Sequence, residues 1–328
     1  MYLLKIDDLK KGDVVLTSQD SITSKLVRRS TGGDFSHAIL YVGSGSYIHS
    51  DLNGVHSNNI QRLLFESEDE VVVLRGEFSP EIINEICNFA RRQVGKAYSV
   101  KDAVKTRVKV NRNANENRQF CSRLVAQSYA SAGISLVEDP NYCTPHELSM
   151  SNLLLKVEEI VEVASSDKIA FAQSDNPLER QANITNLVLK KIREISGKDI
   201  QTIEQITILL IEDSSYDQKF SEVIKASGYL TMWQDEMRKN PWRYNGNMFL
   251  ALPYSKDDLI KMADSELQHS STRLDRFSSQ LIRYKEILNS NNLEYFRAIL
   301  ELYSNLTQQA LYNLKAAEYV KEELLGRK

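Results

Sequence analysis

The sequence predicts an α+β domain built on an antiparallel sheet, followed by an all-α domain. Three observations carry this. Residues 1 to about 165 alternate short strand-like and helix-like runs between frequent turn signals. Two strand-like runs, 36–42 and 47–51, flank Gly43-Ser44-Gly45-Ser46 and read as a hairpin, so the sheet contains antiparallel strands. After Ser165 the chain turns polar and then almost wholly helical in period. With 328 residues, the chain exceeds the roughly 250 at which single cores stop growing, so two domains are expected. The expected division is 1–165, a linker at 166–177, and a helical domain at 178–328.

Each element has its own signal. Val14-Val15-Leu16-Thr17 follows the turn Lys11-Gly12-Asp13 and reads as a strand. Asp20 or Ser21 can cap a short helix reaching Arg29. Gly54-Val55 starts a further strand, and Val71-Val72-Val73-Leu74 is a compact buried run. Ser79-Pro80 starts a helix that Gly95 stops, because proline tolerates the first turn and serine caps it. Residues 111–117 are polar and read as a loop leading to a helix that opens at Phe120-Cys121 and closes by Gly133. Thr144-Pro145-His146-Glu147 is a capping box. Residues 155–163 read as a last strand.

In the helical part an apolar seam runs through Ala263, Leu267, Ser270, Leu274, Phe277, Leu281, Tyr284 and Leu288. A second runs from Phe296 through Ile299, Tyr303, Leu306, Ala310, Asn313, Ala317 and Val320 to Leu324. Asn289-Ser290-Asn291-Asn292 separates them, so the two heptad helices should fold back as a long antiparallel coiled-coil hairpin.

Composition excludes several classes. Forty-one Lys and Arg stand against 44 Asp and Glu, a net charge of −3, which gives no electrostatic case for nucleic acid. The basic stretches 25–29 and 101–112 read as solvated surface. Cys87, Cys121 and Cys143 supply neither a disulfide framework nor metal-ligand spacing, so no metal is expected. No organic cofactor is required either. Gly32-Gly33 and Gly43-Ser44-Gly45 lack the lysine and following helix of a phosphate loop. The N-terminal residues do not form a secretory signal, and no run of about 18 apolar residues can span a bilayer, so a cytoplasmic location is expected.

Chemistry concentrates at Cys121. A thiol at a helix N-terminus meets the positive end of the helix dipole and unpaired amides, which lower its pKa. His37 and His49 lie on the two strand-like runs upstream, where one imidazole can hold the thiol proton and a second polar group can orient it. His56, on a polar turn, reads as surface. His146 reads as packing or solvated.

Four segments in this order, Gly12-Asp13-Val14-Val15-Leu16-Thr17, Phe35-Ser36-His37-Ala38-Ile39-Leu40-Tyr41-Val42-Gly43, Phe120-Cys121-Ser122-Arg123-Leu124-Val125 and Thr144-Pro145-His146-Glu147-Leu148, resemble the YiiX-like branch of the NlpC-type cysteine hydrolases. These are papain-like folds with a circular permutation, in which the histidine precedes the cysteine. The 12-residue step from His37 to His49 also resembles the lecithin:retinol acyltransferase-like enzymes. The resemblance covers about residues 8–155. It implies that Cys121 is the nucleophile, His37 the general base and His49 the polar third member, where the YiiX-like branch is expected to carry glutamate. It also implies that Tyr98 lies near the substrate pocket.

The expected function is a cysteine hydrolase cleaving a peptide or isopeptide amide through an acyl-enzyme. One alternative is acyl transfer, thioester hydrolysis or phospholipid deacylation, to which His49 points. Another is a non-catalytic scaffold whose working part is the helical domain. The expected partners are a peptide, amide-containing or acyl-lipid substrate, and a protein bound by the helical domain.

Overall fold

A computed structural model describes residues 1–18, 34–99 and 118–326. The expected helix at 20–29, the loop at 111–117 and both basic stretches lie outside the described residues. Backbone contacts divide the chain into two units, Met1–Leu189 with Asp199–Gln205, and Lys190–Lys198 with Ile206–Lys328.

In the first unit β1 (Tyr2–Leu4), β2 (Val14–Thr17), β3 (His37–Gly43), β4 (Ser46–Asp51), β5 (Gly54–Asn59) and β6 (Val71–Arg75) precede helix α1 (Pro80–Arg92). Then come β7 (Ala97–Tyr98), β8 (Arg118–Gln119), α2 (Cys121–Ala130), α3 (Pro145–Ser149), β9 (Leu155–Lys156), β10 (Val161–Val163) and α4 (Ser166–Gln173). Six strands form one sheet in the order β5-β4-β3-β2-β6-β9, with every pair antiparallel. The α+β expectation therefore holds, and both turn-based hairpin and helix starts are found. Ser79 caps α1 through the Ile82 amide, and Thr144 and Glu147 complete the capping box of α3.

The sheet buries both faces. Val14, Leu16, Ala38, Leu40 and Val42 pack with Ile86, Cys87 and Ala90 of α1 and with Leu124, Val125 and Tyr129 of α2. The alternate residues Val15, Ile39, Tyr41 and Val73 join Leu4, Tyr47, Ile60 and Phe65 on the other side. This alternation follows from the two-residue period of a strand. Asp13, only 1% exposed, takes both Nε (2.7 Å) and Nη2 (2.6 Å) of Arg75, which neutralises a carboxylate that burial would otherwise penalise.

One expected element differs. Residues 155–163 are two short strands rather than one: β9 pairs with β6, and β10 pairs with β1. Glu159 between them has a positive φ of 54°, which breaks the extended run. Residues 166–177, expected as a linker, carry α4. Arg62 anchors the stretch by donating to the carbonyls of Ser174 (2.6 Å) and Asp175 (3.0 Å), and it lies over the Phe171 ring.

Helices α5 (Pro177–Ser196) and α6 (Ile203–Glu212) each contribute residues to both units, and α7 (Asp217–Ala226), α8 (Trp233–Lys239) and α9 (Gly246–Leu250) follow. The second unit is dominated by α10 (Lys256–Ser290) and α11 (Glu294–Leu325). At 1.5 Å per residue these are about 50 Å long. They run antiparallel: Tyr284 stacks on Tyr303 near the turn, Arg273 meets Asn313 midway, and Asp264 meets Lys321 (2.6 Å) at the far end. The seam is more polar than its heptads suggest. Leu267, Leu274, Phe277 and Leu281 remain partly exposed, while Glu266, Ser270 and Asn313 are buried. Arg243, from the segment before α9, reaches Glu266 Oε1 through Nε (2.9 Å) and Nη2 (2.6 Å), so part of the seam holds a charged network instead of leucines.

Candidate active site

The sheet register brings three histidines together. Ile39 pairs with His49 across β3 and β4, and His49 pairs with His56 across β4 and β5. His37 is two residues before Ile39 and so shares its face. Nε2 of His37 lies 2.8 Å from Nδ1 of His49, and Nε2 of His49 lies 2.9 Å from Nε2 of His56. All three rings meet edge to face. His56 Nδ1 is 3.2 Å from the Gly54 carbonyl and 3.7 Å from Asp51 Oδ1. His49 and His56 are each only 9% exposed, so His56 is not the surface residue its polar neighbours suggest.

Burial governs the protonation of this row. It pushes His37 down to about 4, an effect that Asp51 opposes and His56 reinforces. His49 is held well below the usual histidine value by burial, and then by His37 and His56. Both rings are therefore neutral near pH 7.

Cys121 is the first residue of α2, as expected, and is 7% exposed. No side chain caps this helix at Phe120, which leaves first-turn amides open. Its start is braced from outside the helix. Ser122 Oγ donates to the Cys143 carbonyl (2.7 Å), and Arg123 Nε donates to the Asn141 carbonyl (2.8 Å). The Arg123 guanidinium also lies over the rings of Phe120 and Tyr142.

The expected lowering of the thiol pKa is overturned. Burial pushes Cys121 up, and hydrogen bonds from the backbones of Ala38, Ser122 and Cys121 itself offset this only in part. The helix terminus acts as anticipated, but desolvation outweighs it, so the resting group is a thiol. Ala38, which touches the thiol, is the residue after His37. No hydrogen bond joins Cys121 to the His37 ring: Ala38 packs with Cys121 on the α2 side of the sheet, whereas His37 shares the other face with Ile39.

Tyr98 ends β7 and is partly buried. Its hydroxyl pKa is raised by burial, then by Cys121 and Asp51. The segment before it is tied to β5: Val55 donates to the Lys96 carbonyl and Gly95 to the Val55 carbonyl, both at 2.8 Å. Gln119, buried just before the helix, donates to Gln127 Oε1 (2.7 Å), which continues to Asn141 (2.8 Å).

His49, Asp51 and His56 each offer one ligand atom within 4.8 Å of the others, a grouping of the size that can hold a metal ion. Asp51, however, faces Nδ1 of His56, whereas His49 faces Nε2 on the opposite edge of that ring. A single ion cannot take all three at about 2 Å without repacking. The hydrogen-bonded row is the arrangement these side chains satisfy.

An antiparallel sheet whose third and fourth strands carry histidines, followed in sequence by a helix opening on cysteine, defines a papain-like fold with permuted order. The match to known proteins is specific to that class. Residues 8–170 match the family described as permuted papain-like amidase enzyme, YaeF/YiiX, C92 family, and this segment of the chain belongs to it. Among solved structures, the crystal structure of metalloprotein yiiX from Escherichia coli O157:H7 is similar, at 19% identity and a TM-score of 0.37. The similarity covers 45% of this chain and 96% of that one. No curated protein matches the chain. Among the described residues, no helix is long and apolar enough to cross a membrane.

Proposed function

We propose that this protein is a cysteine amide hydrolase in which Cys121 is the nucleophile, His37 the general base and His49 the residue that orients His37. The observation that carries this reading is the 2.8 Å contact between His37 Nε2 and His49 Nδ1, made beside a helix whose first residue is Cys121. That contact occupies Nε2 of His37 and leaves Nδ1 without a hydrogen bond among the described residues.

The chemistry follows from a buried thiol and a neutral imidazole. As the substrate carbonyl approaches, the Cys121 proton passes to His37 and the sulfur adds to the carbonyl carbon. Uncapped amides at the start of α2 stabilise the tetrahedral oxyanion. The His37 proton goes to the departing amine, and His37 then activates water to release the acyl group. Tyr98 lines the substrate side of the thiol. The helical unit, including α10 and α11, supplies none of these residues; its role is to recognise a protein partner or the physiological target.

The test is turnover of a panel of peptide and isopeptide amides by the full-length protein. Cys121→Ala and His37→Ala should each lower kcat at least about 10³-fold with circular dichroism unchanged, and His49→Ala should be milder. Near-normal turnover by either of the first two would refute the assignment. A second reading, acyl transfer, is favoured by the histidine at position 49. Product analysis with added amine or alcohol acceptors separates the two, since a transferase delivers the acyl group to the acceptor in preference to water.

A further inference from the structure

Gly54 anchors one end of the histidine row with a group that can only accept a hydrogen bond. Its carbonyl lies 3.2 Å from His56 Nδ1, and the other neighbour of that nitrogen, Asp51 Oδ1 at 3.7 Å, is also an acceptor. Nδ1 of His56 must therefore carry hydrogen. A neutral imidazole has one N–H, so in its neutral form His56 presents a lone pair on Nε2 to His49 Nε2 at 2.9 Å. That nitrogen of His49 must then be the donor, which leaves its Nδ1 as an acceptor. Nδ1 of His49 faces His37 Nε2 at 2.8 Å, so His37 Nε2 is in turn the donor. By elimination the lone pair of His37 is on Nδ1, the nitrogen a general base needs.

The polarity of the whole row thus depends on its last member. Were His56 to donate from Nε2, each bond would reverse and His37 would carry hydrogen on Nδ1, unable to take the thiol proton. We propose that His56 is a positioning residue: held on the Gly54 carbonyl, it fixes the tautomers of His49 and His37 and so keeps His37 Nδ1 unprotonated. This rests on the reading of His37 as the base for Cys121. The backbone is built for the anchor. Gly54 has φ of +92°, and a Cβ there would lie 2.6 Å from the Lys96 carbonyl oxygen, so the turn that presents this carbonyl depends on glycine.

The experiment is long-range ¹H–¹⁵N correlation NMR of the full-length protein labelled at histidine, at pH 7.5, with peaks assigned by single substitutions. The expected result is hydrogen on Nδ1 of His56, on Nε2 of His49 and on Nε2 of His37. His56→Gln can still accept at the Nε2 position and should keep both remaining tautomers and most of kcat. His56→Phe offers no acceptor; His49 and His37 should become tautomer mixtures, and kcat should fall roughly tenfold with KM unchanged, the effect of about one net hydrogen bond. Hydrogen on His37 Nδ1 in the unsubstituted protein would overturn the proposal, as would unaltered tautomers in His56→Phe. If His56→Phe fails to fold, the unsubstituted protein and His56→Gln decide the question alone. The spectra need no substrate, so expected tautomers without Cys121-dependent turnover would defeat the functional reading while supporting the relay. Cys121-dependent turnover with tautomers indifferent to His56 would do the reverse.

Discussion

Acidification should loosen the histidine-bearing strands before His37 gains its proton. In the folded chain burial holds His37 at about 4, against an ordinary value of 6.5. Above 6.5 neither folded nor unfolded state is protonated at this ring, and stability is unaffected. Between 6.5 and about 4 the unfolded state binds a proton that the folded state refuses, so stability falls as pH falls; below 4 the effect levels off. Each pH unit in that window costs up to about 1.4 kcal/mol, so a drop from pH 7.5 to 4.5 removes roughly 2–3 kcal/mol through this ring. His49 shifts in the same direction and adds to the loss. Both tryptophans of the sequence, Trp233 and Trp242, belong to the second unit and would miss the event. The suitable assay is hydrogen exchange at the amides of β3 and β4, corrected for the intrinsic pH effect. His37→Gln is the control: it cannot titrate, yet its amide can still donate to His49. The unsubstituted protein should lose about 2 kcal/mol more protection than His37→Gln over this range. Equal losses would show that the folded His37 titrates normally, and would remove the argument for a neutral buried row.

Alkylation of Cys121 by iodoacetamide should be slow at pH 7 and accelerate up to pH 9 or above, because burial raises the thiol. A fast rate that is flat from pH 6 to 8, followed by peptide mass spectrometry, would contradict this. Gly54→Ala forces a positive φ on a residue with a Cβ and crowds the Lys96 carbonyl. It should cost about 1–3 kcal/mol in the first unit and accelerate exchange at β5. Asn313→Ala removes the partner of both Arg273 and the Arg243 carbonyl. It should destabilise the helical unit by about 2 kcal/mol, read from the urea dependence of tryptophan fluorescence.

Local grammar made much of the fold legible. Val14 to Thr17, the hairpin through residues 43–46 and the caps at Ser79 and Thr144 form as expected, because turn and cap preferences act within a few residues. The long antiparallel helices were equally visible in their period. The seam was not, since Arg243 enters from another segment and draws Glu266 and Asn313 inward. His56 was missed for a related reason. Its neighbours Ser57, Asn58 and Asn59 are polar, and only counting back from the two-residue loop Leu52-Asn53 sets His56 opposite His49.

The sequence by itself determined the order of elements, the cysteine at a helix start, and two histidines on adjacent strands. Those features depend on backbone preferences and periodicity, which are local. Tertiary structure decided the electrostatics. The helix terminus favours a thiolate at Cys121, but burial beneath the packed sheet outweighs it and leaves a thiol. Strand register joined His37, His49 and His56 into one row, and burial keeps the first two neutral. Desolvation depends on every atom that excludes water from a group, and most of those atoms are distant in the chain.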